Sequence, residues 1–186
     1  MKFEQSHLYH VYNQGNNREV IFPYRDNYLD FVKRTKHFIK PHADILAYCL
    51  MPNHFHFLIQ ATVVSIEPIQ LGKIQSNRLS NGFRLLLSEY ARVFNLKMER
   101  TGSLFRQKTK AIDLFERKNM DAALDCFNYI HLNPAKAGLV ENARDWEYSS
   151  LKDFLGHRNG TMCNKELAFD LLGIDEHYVK EMALDF

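Results

Sequence analysis

The segment Met51–Ile59, MPNHFHFLI, combines turn residues with an alternation of histidine and phenylalanine. Pro52 and Asn53 are turn residues, and the residues that follow them predict a β-strand. Side chains alternate between the two faces of a strand, so His54 and His56 share one face. The opposite face is apolar and points into a core; it carries Phe55, Phe57 and Ile59.

The histidine pair by itself leaves two interpretations open. Neutral imidazole is the commonest metal ligand in proteins, so two of them on one face predict a metal site. Two histidines on the more hydrated face of an ordinary strand explain the same pattern. The choice depends on the rest of the chain.

Composition excludes several classes of protein. The chain has 186 residues, 46% of them hydrophobic, and a net charge of +2, which indicates a globular domain without an overall polycationic character. Three widely spaced cysteines fit reduced thiols and not a disulfide framework. No signal-like segment or apolar run of about 18 residues is present, so we expect a cytoplasmic protein with no membrane contact.

Hydrophobic periodicity predicts four strands and three helices in the order strand, helix, strand, strand, helix, strand, helix. This order predicts an α+β fold, a ferredoxin-like (RRM-like) antiparallel sheet with helices on one face. We expect a main domain over residues 1–140 and a small helical C-terminal extension over 141–186, packed on it. The predicted strands are 8–13, 43–51, one from 54 and 104–115, and the predicted helices are 27–40, 65–97 (interrupted near Gly72 and Gly82) and 119–133 (ended by Pro134).

The last helix carries a candidate nucleophile. At about 100° per residue, Tyr129 and Asn133 lie side by side, one turn apart, whereas His131 falls nearly opposite. Only about one phenol in a thousand is ionised at pH 7, so an attacking tyrosine needs help. A divalent ion on the histidine pair suits phosphoryl transfer, and an amide oxygen from Asn133 would favour Mg²⁺ or Mn²⁺. Asn133 also fits a helix C-cap before proline.

Basic residues concentrate between Lys97 and Lys118, with seven Lys and Arg against three Asp and Glu. Within it, Arg106, Lys108 and Lys110 alternate, so on a strand they would share a face that tracks a nucleic-acid backbone. Arg18, in a turn, is a further candidate for nucleic-acid binding. Lysines that protect a strand edge from pairing explain the basic segment as well.

Four segments of the chain form a characteristic series of motifs. They are YCLMPNHFHFLI (Tyr48–Ile59), GSLFRQ (Gly102–Gln107), YIHLNPAKAGLV (Tyr129–Val140) and WEYSS (Trp146–Ser150). This series resembles one known family, the single-tyrosine HUH transposases and, within them, the REP-associated tyrosine transposases. The resemblance runs over about residues 8–155, with the order and spacing of the motifs intact.

This resemblance implies a metal-dependent enzyme that cuts and rejoins single-stranded DNA near hairpins. It implies a 5′-phosphotyrosine intermediate on Tyr129 and metal ligands at His54, His56 and Asn133. The partners implied are single-stranded or hairpin DNA and, depending on the branch, a monomer or a homodimer.

Three alternatives remain from the sequence. A rolling-circle replication initiator or relaxase uses the same chemistry but usually carries further domains or a second tyrosine. A catalytically silent DNA-hairpin-binding module would keep the fold without the chemistry. A zinc hydrolase would need further His or carboxylate ligands at matched spacings.

The tail from Trp146 is too apolar to be free and should dock on the domain. There it would present Lys152, His157 and Arg158 to DNA. The other interpretation is a packing extension with no role in DNA recognition.

Overall fold

A computed structural model describes residues 1–115 and 121–184 of the chain. Its main sheet consists of β1 (Leu8–Gln14), β2 (Ala43–Met51), β3 (His54–Ala61) and β6 (Lys110–Asp113). These four strands are antiparallel and lie in the order β2-β3-β1-β6. The α+β class predicted from the sequence is confirmed.

Helices cover both faces of this sheet, not one face as predicted. The first face packs against α1 (Arg25–Phe38) and α3 (Arg78–Lys97). The second face packs against α4 (Asp121–Lys136) and the C-terminal segment, which contains α5 (Leu151–Phe154), α6 (Lys165–Leu172) and α7 (Glu176–Met182). The side chains of each strand therefore alternate between two separate hydrophobic cores.

The segment predicted as one helix over 65–97 differs from the prediction. A short helix α2 (Val63–Ile66) is followed by a hairpin of β4 (Pro68–Leu71) and β5 (Ile74–Asn77), and only then by α3. Gly72 lies in the hairpin turn with φ +60°, a conformation that favours glycine. Gly82 does not interrupt α3. A Cβ there would lie 2.3 Å from the carbonyl oxygen of Phe38, so glycine permits close packing of α3 on α1.

Two further predictions about helix and strand ends are wrong. Helix α4 continues through Pro134 to Lys136, so Asn133 lies inside the helix and is not its C-cap. The predicted strand 104–115 is shortened to β6, with a single bridge between Gly15 and Phe105 before it. The predicted start of the last helix at Asn119, and the basic residues Arg117 and Lys118, lie outside the described residues.

The C-terminal segment docks along the edge of the sheet that β2 forms. Tyr48 and Leu50 of β2 exchange backbone hydrogen bonds with Tyr148 and Ser150, and the Trp146 indole donates to the Leu50 carbonyl at 3.0 Å. This pairing covers the free edge of β2. The division at residue 140 stays a prediction.

Arg158 does not face outward as predicted. Its guanidinium donates two hydrogen bonds, of 2.7 and 3.0 Å, to the carboxylate of Asp153, which is 1% exposed. It also donates to the Ser149 carbonyl oxygen at 2.6 Å. Arg158 therefore stabilises the tail by hydrogen bonds to other residues of the tail. No helix within the described ranges is long and apolar enough to cross a membrane.

Candidate active site

Strand β3 places the predicted histidine pair on one face. Phe55 and Phe57 are fully buried in the core formed with α1 and α3, which fixes the register of the strand. His54 and His56 therefore project from the opposite face, with ring centroids 4.9 Å apart and the rings nearly perpendicular. The predicted geometry of the pair is confirmed.

Hydrogen-bond distances place a partner at the Nδ1 atom of each ring. The Nδ1 atom of His54 lies 2.6 Å from Oδ1 of Asn53, an acceptor, so Nδ1 carries the proton. The Nδ1 atom of His56 lies 2.9 Å from Nε2 of His10. The Nε2 atom of His56 is buried and has no hydrogen-bond partner among the described residues. An orphaned buried nitrogen beside a second imidazole fits a metal-ligand pair.

Burial keeps both imidazoles in the form that binds metal. It lowers the pKa of His54, and it lowers the pKa of His56 well below the usual value, with the nearby His10 and His54 adding to the effect. Both rings are consequently neutral at pH 7, each with a nitrogen lone pair available for a cation.

Helix α4 brings Tyr129 to the histidines. Its ring meets that of His56 edge-on, with centroids 5.3 Å apart, and that of His10 at 5.9 Å. The side chain is 43% exposed, so the phenol remains accessible to a substrate. Partial burial raises the pKa of Tyr129, and the adjacent Asn133 side chain opposes part of that rise. The sheet and α4 together thus assemble the predicted nucleophile and the predicted ligand pair.

Asn133 lies one turn beyond Tyr129 and is 9% exposed. Its Nδ2 atom is buried and has no hydrogen-bond partner in the part of the chain that the structure describes. Among residues 1–115 and 121–184, no group of three or more His, Cys, Asp or Glu side chains is arranged to hold a metal ion. A third protein ligand for the histidine pair would therefore come from another kind of oxygen donor, and the amide oxygen of Asn133 stays the predicted one.

His131, which the helical spacing separates from Tyr129, lies on the buried side of α4. Its Nε2 atom is 2.8 Å from Oγ of Ser150 in the docked tail, and the residue is fully buried. Complete burial lowers the pKa of His131 to about 3. It belongs to the packing of the tail and not to the site.

His10 is a member of the site that sequence reasoning missed. The alternation of β1 places His10 on the same face as Tyr12, and β1 pairs with β3 so that Tyr12 lies opposite His56. The pattern in β1 gives the face of His10, but its neighbour across the sheet depends on strand pairing.

A cavity of about 570 Å³ opens beside Tyr129 and His10. Its remaining lining comes from β6 and the segment after it and from the first half of α4. Those residues are Ile112, Leu114, Ala122, Asp125 and Cys126. The predicted nucleophile therefore faces open space large enough for part of a DNA strand.

The predicted basic residues lie on the surface but not on one strand. Only Lys110 belongs to β6; Arg106 and Lys108 are exposed in the irregular segment before it, so the predicted alternation along a strand is wrong. Arg106 and Lys108 line a cavity of about 720 Å³ against α3, together with Arg84. Arg18 is exposed in a turn whose carbonyl accepts from Nδ2 of Asn53 at 3.4 Å. Their binding to nucleic acid stays a prediction.

Comparison with known proteins agrees with these motifs. No protein-family model matches the chain. A Haemophilus influenzae protein named "Putative REP-associated tyrosine transposase" is 29% identical over 109 residues, which are 58% of this chain and 58% of that protein. A solved structure of a REP-associated tyrosine transposase bound to a REP hairpin covers 81% of this chain and 79% of its own, with a TM-score of 0.57 and 16% identity.

The chain is similar to the REP-associated tyrosine transposases. The resemblance seen in its motifs is thereby confirmed, and at 16% identity the solved structure shows the shared fold. The chain spans little more than half the length of its curated relative.

Proposed function

We propose that this chain is a DNA-processing enzyme that cuts and rejoins single-stranded DNA near hairpins through a covalent bond to Tyr129. One observation carries the proposal: the ring of an accessible tyrosine contacts His56, which is buried and neutral, stands beside His54, and has an Nε2 atom with no hydrogen-bond partner among the described residues. A silent DNA-binding module has no need for this combination, because leaving polar groups buried without partners is destabilising.

The proposed reaction is a transesterification. The phenol oxygen of Tyr129 loses its proton and forms a bond to the scissile phosphorus, while the bond from phosphorus to the 3′ oxygen breaks. That oxygen takes up a proton and leaves as a 3′-OH, and the 5′ phosphate stays on the tyrosine. Attack by a DNA 3′-OH on the phosphotyrosine reverses the step and rejoins the strands.

The residues that would hold a divalent ion are His54 and His56, with the amide oxygen of Asn133 as the third. When bound, Mg²⁺ or Mn²⁺ supplies positive charge that offsets the negative charge growing on the phosphate and on the leaving oxygen. The fold supports this choice of three ligands. Strand β3 holds the two imidazoles, and α4 holds Tyr129 and Asn133 one turn apart.

The proposed substrate is a DNA hairpin flanked by single strand. The support is the similar solved structure, which is described with a REP hairpin. In this chain, the exposed Arg18, Arg106, Lys108 and Lys110 would contact phosphates, which fix the position of DNA without reading its sequence. We propose a monomer or a homodimer as the active form.

The test is a cleavage assay on labelled hairpin DNA with a single-stranded flank, in Mn²⁺, resolved on a denaturing gel. The proposal predicts a shortened strand and a protein–DNA adduct that resists boiling in detergent. Hairpin binding with neither product would support the silent module instead. Cleavage that persists in EDTA would contradict the role of the ion.

A further inference from the structure

His10 and His56 form a direct contact between two neighbouring strands of the sheet. The Nε2 atom of His10 lies 2.9 Å from the Nδ1 atom of His56, and the two rings stack with centroids 5.0 Å apart. Because both rings are held within packed strands, this hydrogen bond sets the orientation of the His56 imidazole.

The direction of this hydrogen bond determines which nitrogen of His56 carries the proton. A neutral imidazole has one N–H donor and one acceptor nitrogen, so one ring donates and the other accepts. If Nδ1 of His56 donates, its buried Nε2 keeps a lone pair. If Nδ1 accepts, Nε2 becomes a buried N–H that faces no acceptor among the described residues and repels a cation. Only the first arrangement leaves a lone pair on Nε2 of His56 for a cation in the proposed site.

His54 provides a parallel within the same site. Its Nδ1 donates to Oδ1 of Asn53 at 2.6 Å, which leaves Nε2 with the lone pair. Each of the paired histidines therefore has a partner on Nδ1, and an acceptor at that position is the arrangement that orients metal-binding histidines.

We propose that His10 is a positioning residue that accepts a hydrogen bond from Nδ1 of His56 and thereby presents the Nε2 lone pair of His56 to the divalent ion. This inference rests on the proposed function, because it assigns His10 a purpose in that site. His10 is not itself a ligand in this arrangement, since its Nε2 is the atom that accepts.

The tautomer of His56 tests the hydrogen bond without any metal. Long-range ¹H–¹⁵N correlation spectra of the metal-free wild-type protein at pH 7.5 or so distinguish an Nδ1–H imidazole from an Nε2–H one. The inference predicts the Nδ1–H form for His56. An Nε2–H form in the wild-type protein would overturn it.

Three variants then test the consequence for metal binding by calorimetric titration with Mn²⁺. His10→Leu removes the acceptor and should weaken Mn²⁺ binding roughly ten- to hundredfold, the usual effect of removing such a partner. His10→Gln keeps an acceptor oxygen near the position of Nε2 and should restore most of the affinity. His7→Leu is the matched control: His7 bonds to Asp113 and not to His56, so Mn²⁺ binding should stay at the wild-type level.

Wild-type affinity in His10→Leu, or equal losses of affinity in His10→Leu and His10→Gln, would overturn the inference. If His10→Leu does not fold, the wild-type tautomer and His10→Gln still decide it. A wild-type protein that binds no Mn²⁺ would contradict the proposed function itself. The metal-free tautomer measurement separates that failure from a failure of the His10 hydrogen bond.

Discussion

Lowering the pH should destabilise the packing between α4, which carries Tyr129, and the docked tail. The residue responsible is His131. This imidazole is fully buried on α4 between Phe127 and Phe154, and it is hydrogen-bonded to Ser150. Its pKa falls to about 3 on burial, whereas the unfolded chain has an ordinary histidine pKa of about 6.5. Between those two values the unfolded state binds a proton that the folded state does not, so stability is lost as the pH falls.

The size of this effect follows from proton linkage. At pH 5 the unfolded imidazole is almost fully protonated and the folded one is not, which lowers the free energy of unfolding by about 2 kcal/mol relative to pH 7. Burial lowers the pKa of His42, His54 and His56 as well, so the whole protein should lose more than this. The contribution of His131 is therefore the difference between the wild-type protein and His131→Gln.

Urea unfolding at pH 7, 6 and 5 measures that difference. His131→Gln should lose about 2 kcal/mol less than the wild-type protein between pH 7 and pH 5. Ser150→Ala is the control: it removes a hydrogen-bond partner but leaves the imidazole buried, so it should lower stability at pH 7 and keep the pH dependence. Identical pH dependence in the wild-type protein and His131→Gln would refute the reasoning.

Other variants distinguish residues that act in the proposed site from residues that stabilise the fold. Replacing His54 and His56 together with Ala should abolish Mn²⁺-dependent cleavage while the protein still folds, whereas Phe57→Ala should cost about 3–5 kcal/mol of stability by opening a core cavity. Normal cleavage by the double variant would show that the ligand pair is wrong. Replacing the three basic residues of 106–110 with Gln should weaken single-strand binding for all sequences alike and reduce its salt slope by about 0.7 for each DNA phosphate that is no longer neutralised. An unchanged slope would leave the edge-protection explanation. Arg158→Gln should cost about 2–3 kcal/mol, because it leaves a buried carboxylate unpaired, and should not change the salt slope. A reduced slope at unchanged stability would contradict this.

The sequence predicted the central strand and its two faces because three large apolar residues in alternation fix the register of β3. The opposite face of a strand anchored by Phe55 and Phe57 has to carry His54 and His56. Helical spacing predicted equally well that Tyr129 lies beside Asn133 and away from His131, since this depends only on residues within one helix.

Features that depend on pairing across the chain were missed. His10 and His56 are 46 residues apart, and nothing local to either indicates that they share a hydrogen bond. The hairpin before α3 is not evident from the sequence because its residues also fit a helical pattern, in which Gly72 indicates an interruption and not a turn. Arg158 was assigned to DNA because its buried partner Asp153 is recognisable only once the tail is docked.

In the proposed reaction, the oxygen of Tyr129 forms the covalent bond to DNA. The most direct measurement compares the wild-type protein with Tyr129→Phe on the same radiolabelled hairpin in Mn²⁺, by denaturing gel for the adduct and by band shift for binding. We predict that Tyr129→Phe binds the hairpin as the wild-type protein does and forms no adduct and no shortened strand. An adduct that survives in Tyr129→Phe would contradict the account.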